Sequence, residues 1–328
     1  MKRSLLLALI LLFFMVTLPL SVFIIPNSDD DLSATGEYSH NSSQIKVLLT
    51  EENKTVTVSM TEYLIGALAS EMTPLYHAEA LKAQAAVCRT YAEKMIEQQK
   101  KNPSSELKGA DISDDSSKHQ GYMTEQERKE KFGEQFETYE EKLSDAVKES
   151  GSYIITYNGE LITAAFHAIS SGQTESSKNL WGSELPYLQP VQSAGDKLSP
   201  DYASTVTLTD AQFKEKTAAL KGAALSDNSD EWIGKTSVSD SGTVLSITIG
   251  GKEFTGLEVR EAMGLRSPCF TVKHEDGSFT FSVTGYGHGA GMSQYGADYM
   301  ARQGSSWQEI IKHYYTGVEI EKAELYLL

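Results

Sequence analysis

Cysteine and positive charge are both scarce in this sequence, and each shortage argues against a class of function. Among 328 residues there are two cysteines, Cys88 and Cys269, which are too few to build a zinc site from thiolates alone. They could form a disulfide outside the cytoplasm, or Cys88 could be a small buried residue on a helix face. The formal net charge of −16 argues against nucleic acid as a partner, because phosphate binding needs clustered Lys and Arg.

Familiar catalytic and binding motifs are also missing. The sequence has no Gly-x-Ser-x-Gly nucleophile elbow, although a serine hydrolase using Ser170 or Ser171 with a histidine remains an alternative. The seven histidines show no metal-ligand spacing such as His-Glu-x-x-His, so we predict no metal and no cofactor. The glycine-rich run 285–291 matches neither nucleotide-binding pattern, and its glycines instead favour a close backbone approach to a ligand.

The N-terminal segment has the pattern of a membrane anchor. Lys2 and Arg3 precede an uncharged run, Ser4–Ile25, which would span about 33 Å as a helix at roughly 1.5 Å per residue. No small-residue cleavage site follows this run, so we predict an uncleaved single-pass helix within residues 1–25. The flanking charges place the N-terminus in the cytoplasm and the rest of the chain outside it. The polar residues 26–43 are predicted to be a tether.

Residues 44–328 combine helical and strand patterns without a βαβ rhythm, which predicts one α+β domain. Asn158-Gly159 predicts a type I′ hairpin turn between Ser152–Tyr157 and Glu160–His167. A second hairpin is expected over Gly250-Gly251. Residues 99–150 form a charged insertion, to which we assign no chemistry.

Glu71 lies at the end of an apolar helical pattern over Met60–Glu71, and a second such pattern covers Ala78–Gln98. Pro74 prevents one helix from simply continuing into the next. A carboxyl group beside Leu68 and Met72 would be partly desolvated, so its pKa would rise and it could act as a general acid. An ordinary exposed glutamate on an amphipathic helix is the alternative that spacing alone favours.

Three separated blocks of the sequence resemble the stage II sporulation protein D family, in the right order along the chain. These blocks are Ser70–Met72 with Glu79–Ala85 and Arg89–Ala92, Phe166–Glu175 with Trp181–Gly182 and Pro186–Leu188, and Gly287–Ala297 with His313–Gly317. With the predicted anchor, the resemblance covers most of the chain, and only 99–150 and 222–242 match loosely.

The resemblance implies a membrane-anchored lytic transglycosylase that cuts peptidoglycan glycan strands during engulfment in endospore formation. It implies a preference for strands without stem peptides, and a membrane complex with stage II sporulation proteins P and M. The protein would then lie in the mother-cell membrane with its catalytic domain facing the intermembrane space. The family's catalytic acid matches Glu71. One glutamate suffices if the sugar's own 6-hydroxyl replaces water, whereas ordinary glycosidases need two carboxylates.

The same resemblance implies a set of glycan contacts on the matching blocks. The expected substrate-binding residues are Arg89, Tyr91, Ser170, Ser171, Gly172, Gln173, Thr174, His288, Gln294 and Tyr295. Aromatic side chains near these loops could also stack on a sugar face, although core packing is their alternative role; these are Trp181, Tyr187, Tyr286 and Tyr295.

Two departures from the family pattern and one alternative function accompany this interpretation. Thr73 stands where relatives have proline, and Pro74 follows it, so we expect a shifted turn with the acid retained. Some clostridial relatives carry a Cys/His zinc cluster where this chain has Ser113, Lys118 and His119, which supports the prediction of no metal. Related domains serve as amidase enhancers, so a non-catalytic glycan-binding module is the alternative.

Overall fold

A computed structural model describes residues 44–326, and the predicted anchor and tether lie outside the described residues. The model confirms a mixture of helices and small sheets, the α+β class that the sequence predicts. No helix within 44–326 is long and apolar enough to cross a membrane. The helices are α1 Met60–Glu71, α2 Ala78–Lys101, α3 Glu125–Phe132, α4 Phe136–Ser150, α5 Ser177–Trp181, α6 Asp210–Thr217, α7 Gly256–Met263, α8 Gln294–Arg302, α9 Trp307–Tyr314 and α10 Ala323–Tyr326.

The strands form several small sheets. They are β1 Gln44–Leu49, β2 Lys54–Ser59, β3 Ile112–Ser113, β4 Tyr153–Tyr157, β5 Glu160–Leu161, β6 Phe166–His167, β7 Ala203–Thr209, β8 Ile233–Val238, β9 Val244–Ile249, β10 Lys252–Phe254, β11 Phe270–Glu275, β12 Ser278–Thr284, β13 Met292–Ser293 and β14 Glu319–Lys322. Their orders are β2-β1-β3, β14-β4-β5, β13-β6, β11-β12-β7 and β10-β9-β8. Strand β3 pairs parallel with β1, and β13 pairs parallel with β6.

Two hydrophobic clusters hold the described chain together. The larger one contains the alanine-rich face of α2, whose Ala83, Ala86 and Cys88 are fully buried among residues from α1, α4, α8 and α9. The second gathers apolar residues of β7, α6, β9, α7 and β12, including a stack of Phe213 on Phe279 at 4.1 Å between ring centroids. Alanine permits this close helix packing because its small side chain lets the backbones of neighbouring helices approach one another.

Local patterns in the sequence located several of these elements correctly. Helix α1 has the predicted bounds, and Met72 has an extended backbone (φ −127°, ψ 148°), which ends the helix just before Thr73-Pro74. The Asn158-Gly159 turn is present with φ values of 52° and 79°. The strand after it is shorter than predicted, because the chain leaves β4 after Leu161, and Phe166–His167 pairs with β13 instead.

Both cysteines are buried and free. Cys88 lies in the larger cluster, and the Cys269 thiol contacts the Thr243 hydroxyl at 3.4 Å. The alternative in which Cys88 is a small buried helix residue therefore holds, and the disulfide alternative does not.

Candidate active site

A cleft of about 370 Å³ contains Glu71, and its size lies within the range of about 300–1,000 Å³ that is common for ligand sites. Its lining residues come from six separate stretches of the chain. They are Glu71, Tyr91, Lys94, Met95, Gln98, Ser116, Ser117, Lys118, His119, Gln120, Thr163, Ala164, Ala165, Phe166, Trp181 and His288. Among the described residues that line the cleft, Glu71 is the only one with a carboxyl group.

One face of α2 forms a side of the cleft. Tyr91, Lys94, Met95 and Gln98 line it, and their spacing of three, four and seven residues places them on one face of a helix. The hydroxyl of Tyr91 is buried. Burial also raises the pKa of this hydroxyl, an effect that the Gln120 backbone partly offsets, so Tyr91 is a neutral hydrogen-bonding group at ordinary pH.

The Glu71 carboxylate is held by the segment that follows β3. The backbone N–H of Gly121 donates a hydrogen bond to Glu71 Oε1 at 2.7 Å. Burial raises the pKa of Glu71, while the Gly121 hydrogen bond and the Lys131 ammonium oppose that rise. The net direction is upward, which increases the protonated fraction near neutral pH. The same N–H stabilises the carboxylate once its proton has left.

The segment 119–123 is fixed against α1 by further contacts. Gln120 Nε2 donates to the Tyr63 hydroxyl at 3.1 Å, and the Met123 N–H donates to the Gly66 carbonyl at 3.2 Å. The rings of Tyr63 and Tyr122 stack with centroids 5.6 Å apart. A side chain at Gly66 would collide with the Tyr122 ring and the Met123 carbonyl oxygen, so glycine lets this segment lie directly on the helix.

Gly121 is under the same restriction, and this leads to a first prediction. A Cβ atom there would collide with the Ser70 hydroxyl and lie 3.3 Å from Glu71 Oε1. We expect Gly121→Ala to displace the carboxylate and to lower kcat/KM about a hundredfold, the effect of a misplacement of roughly 1 Å in an active site. The measurement is steady-state turnover on the glycan strands that the family resemblance implies as substrate.

The matched control for Gly121→Ala is Gly234→Ala. A Cβ atom at Gly234 would lie 3.1 Å from the Thr248 side chain, and this position belongs to β8, outside the cleft lining. That control should turn over like the unchanged protein. If Gly121→Ala did so too, a side chain at position 121 would not displace the Glu71 carboxylate.

Aromatic rings also line the cleft. The Trp181 and His288 rings lie 5.4 Å apart, and His288 is 5.7 Å from His167. Burial lowers the pKa of His288 to about 3, with further lowering from His167 and Arg260. Because the Ala290 N–H donates to His288 Nδ1 at 3.1 Å, the neutral ring carries its proton on Nε2. His288 is therefore a neutral polar group beside an indole, an arrangement that suits a sugar face.

Of the residues expected from the sequence, the structure brings Glu71, Tyr91 and His288 into one cleft. Arg89 points elsewhere: its guanidinium pairs with Glu93 at 2.7 Å and donates to the Gly151 carbonyl at 3.2 Å. Gln294 Nε2 lies 3.5 Å from Gln84 Oε1, and the Tyr295 ring packs edge-on against Tyr76. These three make internal contacts and do not line the cleft.

The loop Ser170–Thr174 is also absent from the cleft lining. Its polar groups are used within the fold, and three of its contacts have clear geometry. Ser170 N–H donates to the buried Asp196 carboxylate at 2.8 Å, Ser171 Oγ donates to the Ser241 carbonyl at 2.5 Å, and Thr174 Oγ1 accepts from the Val191 N–H at 2.9 Å.

The two remaining members of this loop make side-chain contacts. Gly172 has φ 103° and packs against the Lys197 side chain, and Gln173 Oε1 accepts from Gln192 Nε2 at 3.2 Å. Direct glycan binding by the loop stays a prediction.

The serine hydrolase alternative has no supporting geometry in residues 44–326. The Ser170 hydroxyl donates to Asp196, and the Ser171 hydroxyl donates to backbone carbonyls. His167 Nδ1 bonds the Ala290 carbonyl at 3.0 Å, and His288 Nδ1 accepts from the Ala290 N–H. The described hydrogen bonds therefore pair neither Ser170 nor Ser171 with a histidine. Residues 44–326 also contain no group of three His, Cys, Asp or Glu side chains arranged for a metal ion. His119 Nδ1 instead bonds the Ser113 hydroxyl at 2.8 Å.

The charged insertion, residues 99–150, contributes residues to the cleft that the sequence analysis did not predict. Ser116–Gln120 line the cleft, and Gly121 binds the acid. The one signal available in advance was the loss of charged residues over Gly121-Tyr122-Met123 within an otherwise charged stretch.

Comparisons with known proteins agree with the sequence blocks. A family model described as SpoIID, stage II sporulation protein, matches residues 50–157. The chain is 37% identical over 284 residues to stage II sporulation protein D of Bacillus subtilis, covering 86% of this chain and 80% of that protein. It is 36% identical over 285 residues to the protein of that name from Bacillus amyloliquefaciens, with the same coverage. An amidase enhancer of Bacillus subtilis is 27% identical over 78% of this chain and 40% of its own length.

Proposed function

The chain belongs to the stage II sporulation protein D family, which supports a role in sporulation, and on that premise we propose that it is a lytic transglycosylase acting on peptidoglycan glycan strands. The observation that carries this proposal is the lone carboxyl group in the cleft. A hydrolase would need a second carboxylate, about 5–5.5 Å away in retaining enzymes or 6.5–9.5 Å away in inverting ones. An attack by the sugar's own 6-hydroxyl group needs only one carboxyl group.

In the proposed reaction, protonated Glu71 gives its proton to the glycosidic oxygen as the bond to the anomeric carbon breaks. The 6-hydroxyl of the same muramic acid then attacks the anomeric carbon, and the Glu71 carboxylate removes the hydroxyl proton. The products are a 1,6-anhydro end and a new free 4-hydroxyl, and Glu71 regains its proton. Burial favours the acid form, and the Gly121 N–H, 2.7 Å away, favours the intermediate carboxylate.

The rest of the proposal follows the family resemblance. The substrate would be glycan already stripped of stem peptides, and stage II sporulation proteins P and M would be partners in a membrane complex. The N-terminal run Ser4–Ile25 would anchor the chain, with the catalytic domain outside the cytoplasm during engulfment.

A specific relative favours a second candidate. The likeness to the amidase enhancer is compatible with a glycan-binding module that stimulates another enzyme. To separate the two functions, stripped glycan strands are incubated with the purified protein alone, and peptide-bearing strands are incubated with an amidase in the presence and absence of the protein. Strand ends and released peptides are identified by mass spectrometry. Anhydro ends without the amidase support the transglycosylase. Stimulated peptide release without anhydro ends supports the enhancer.

The pH dependence gives a further prediction. A general acid works while protonated, so activity should fall as pH rises through the pKa of Glu71. Lys131 donates to the Ala69 carbonyl at 3.0 Å and lowers the pKa of Glu71 electrostatically. Removing this cation in Lys131→Ala should raise that pKa and move the alkaline limb of the rate profile to higher pH.

Lys129→Ala is the control for this shift. Lys129 lies on the same helix, α3, and pairs with Glu125 at 2.6 Å. Its profile should match that of the unchanged protein. An alkaline limb that stayed in place in Lys131→Ala, or that moved to lower pH, would mean that Glu71 does not control it.

A further inference from the structure

The charge of the cleft is opposite in sign to the charge of the chain. Overall the sequence carries a formal net charge of −16. The side chains lining the cleft, by contrast, include two lysines, Lys94 and Lys118, against one acid, Glu71. A cleft of this balance favours a ligand that brings its own negative group.

The two lysines differ in how far their charge is already compensated. The Lys118 side chain is 61% exposed and lies 3.4 Å from Glu106, so solvent and a partner both screen it. Lys94 is mostly buried, and its Nζ donates to the Leu161 carbonyl oxygen at 2.8 Å. A lysine ammonium has three N–H donors, and a neutral carbonyl takes only one of them.

The electrostatic environment of Lys94 agrees with an under-compensated cation. Burial lowers the pKa of Lys94 to about 8, Glu97 and Glu160 raise it, and Lys101 lowers it further. The group is therefore mostly protonated at neutral pH, in a place where its charge is costly without a closer anion. An anionic ligand in the cleft would remove that cost through a charge-assisted hydrogen bond.

We propose that Lys94 binds the free lactyl carboxylate of muramic acid and thereby selects peptide-stripped glycan, an inference that rests on the proposed function. In intact peptidoglycan this carboxyl group forms an amide bond with the stem peptide, and that amide is neutral. Removing the peptide leaves a carboxylate, so charge distinguishes the two substrates chemically. A bound carboxylate would also repel the Glu71 anion, and a cation in the same cleft offsets that repulsion.

The position of Lys94 fits this task. It lies one helical turn after Tyr91 on the face of α2 that lines the cleft, and Thr163, Ala164 and Ala165 line the cleft as well. The small side chains of the two alanines in the lining leave room in the cleft for a group that branches from the sugar ring. Lys94 is a specificity residue in this account, and the proton transfers belong to Glu71.

The test compares the full-length protein with Lys94→Met, Lys94→Arg and Lys100→Met. Lys100 is an exposed lysine on the same helix outside the cleft lining, so it controls for charge loss on α2. Each protein receives stripped glycan strands, and the same strands with every lactyl carboxylate converted to a methylamide. This pair of substrates differs in charge with almost no difference in bulk. Cleavage rates and strand binding are measured separately, and thermal melting shows that each variant is folded.

The unchanged protein and Lys100→Met should prefer the carboxylate strands by about tenfold to a hundredfold, as expected for a charge-assisted hydrogen bond. In Lys94→Met this preference should disappear, mainly through KM, and Lys94→Arg should restore part of it. An unaltered preference in Lys94→Met would overturn the proposal.

If no protein cleaves either strand, the transglycosylase proposal fails and the binding ratios alone decide the role of Lys94. Equal binding of both strands by the unchanged protein then refutes that role. A preference that Lys94→Met loses supports it.

Discussion

Glu71→Gln is expected to remove glycan cleavage while leaving the fold intact. Glutamine keeps an oxygen that can accept the Gly121 N–H, now 2.7 Å from Glu71 Oε1, but it cannot give or take a proton. Loss of a general acid–base group typically lowers the rate about 10²- to 10⁴-fold, and in the proposed reaction one group performs both proton transfers. We therefore expect a loss toward the upper end, measured as the yield of anhydro-ended strands.

The stability of Glu71→Gln provides an independent check on the site. Because burial raises the pKa of Glu71 in the folded chain, the stabilisation linked to its proton is complete below the unfolded pKa. It is lost as pH rises through the folded pKa. Glu71→Gln has no such loss. As pH rises from acidic to neutral, the melting temperature of the unchanged protein should therefore fall relative to that of Glu71→Gln. Glu134→Gln, an exposed change outside the cleft lining, is the control and should show neither effect. A Glu71→Gln variant that still cleaved glycan would refute the assignment of Glu71 as the general acid.

Arg128→Leu is expected to cause the largest loss of stability. Its side chain is completely buried, and its guanidinium contacts Glu62 at 2.9 Å and Glu140 at 2.7 Å. It also donates to the Met123 carbonyl at 2.9 Å. Met123 is the last residue of the segment 119–123, which contributes to one wall of the cleft. Removing the cation leaves two carboxylates without their partner, a change that typically costs about 3–5 kcal/mol. Denaturant unfolding monitored by circular dichroism measures this cost.

An exposed ion pair supplies the comparison for Arg128. Arg266 lies 3.2 Å from Asp201 with 41% of its side chain exposed, and surface pairs contribute about 0–1 kcal/mol. Arg266→Leu should therefore change the free energy of unfolding little. A comparable small change in Arg128→Leu would mean that the buried network does not anchor the cleft wall.

The helices and hairpins near the site could be predicted because their signals are local. The apolar spacing over Met60–Glu71 and the stop at Thr73-Pro74 specify where α1 ends, and so where Glu71 lies. The Asn158-Gly159 turn likewise depends on residues next to each other, whose φ values are positive in the structure.

The wall of the cleft could not be predicted because its contacts join distant residues through the backbone. Gly121 binds Glu71 across 50 positions with an N–H group that every residue except proline carries. Because residues 99–150 are rich in charge, nothing in the sequence indicated that Tyr122 stacks on Tyr63. Conversely, the sequence block around Ser170 marks residues that hold the Asp196 carboxylate inside the fold. The family blocks therefore include residues that make internal contacts as well as Glu71, which lines the cleft.

The most direct test of the central claim follows the fate of water during cleavage. Stripped glycan is digested by the full-length protein in water enriched with heavy oxygen, and the new ends are analysed by mass spectrometry. If the sugar's own 6-hydroxyl attacks and Glu71 is the single proton carrier, the new ends are anhydro sugars without the label. Labelled reducing ends would show that water is the nucleophile and would contradict a one-carboxylate mechanism.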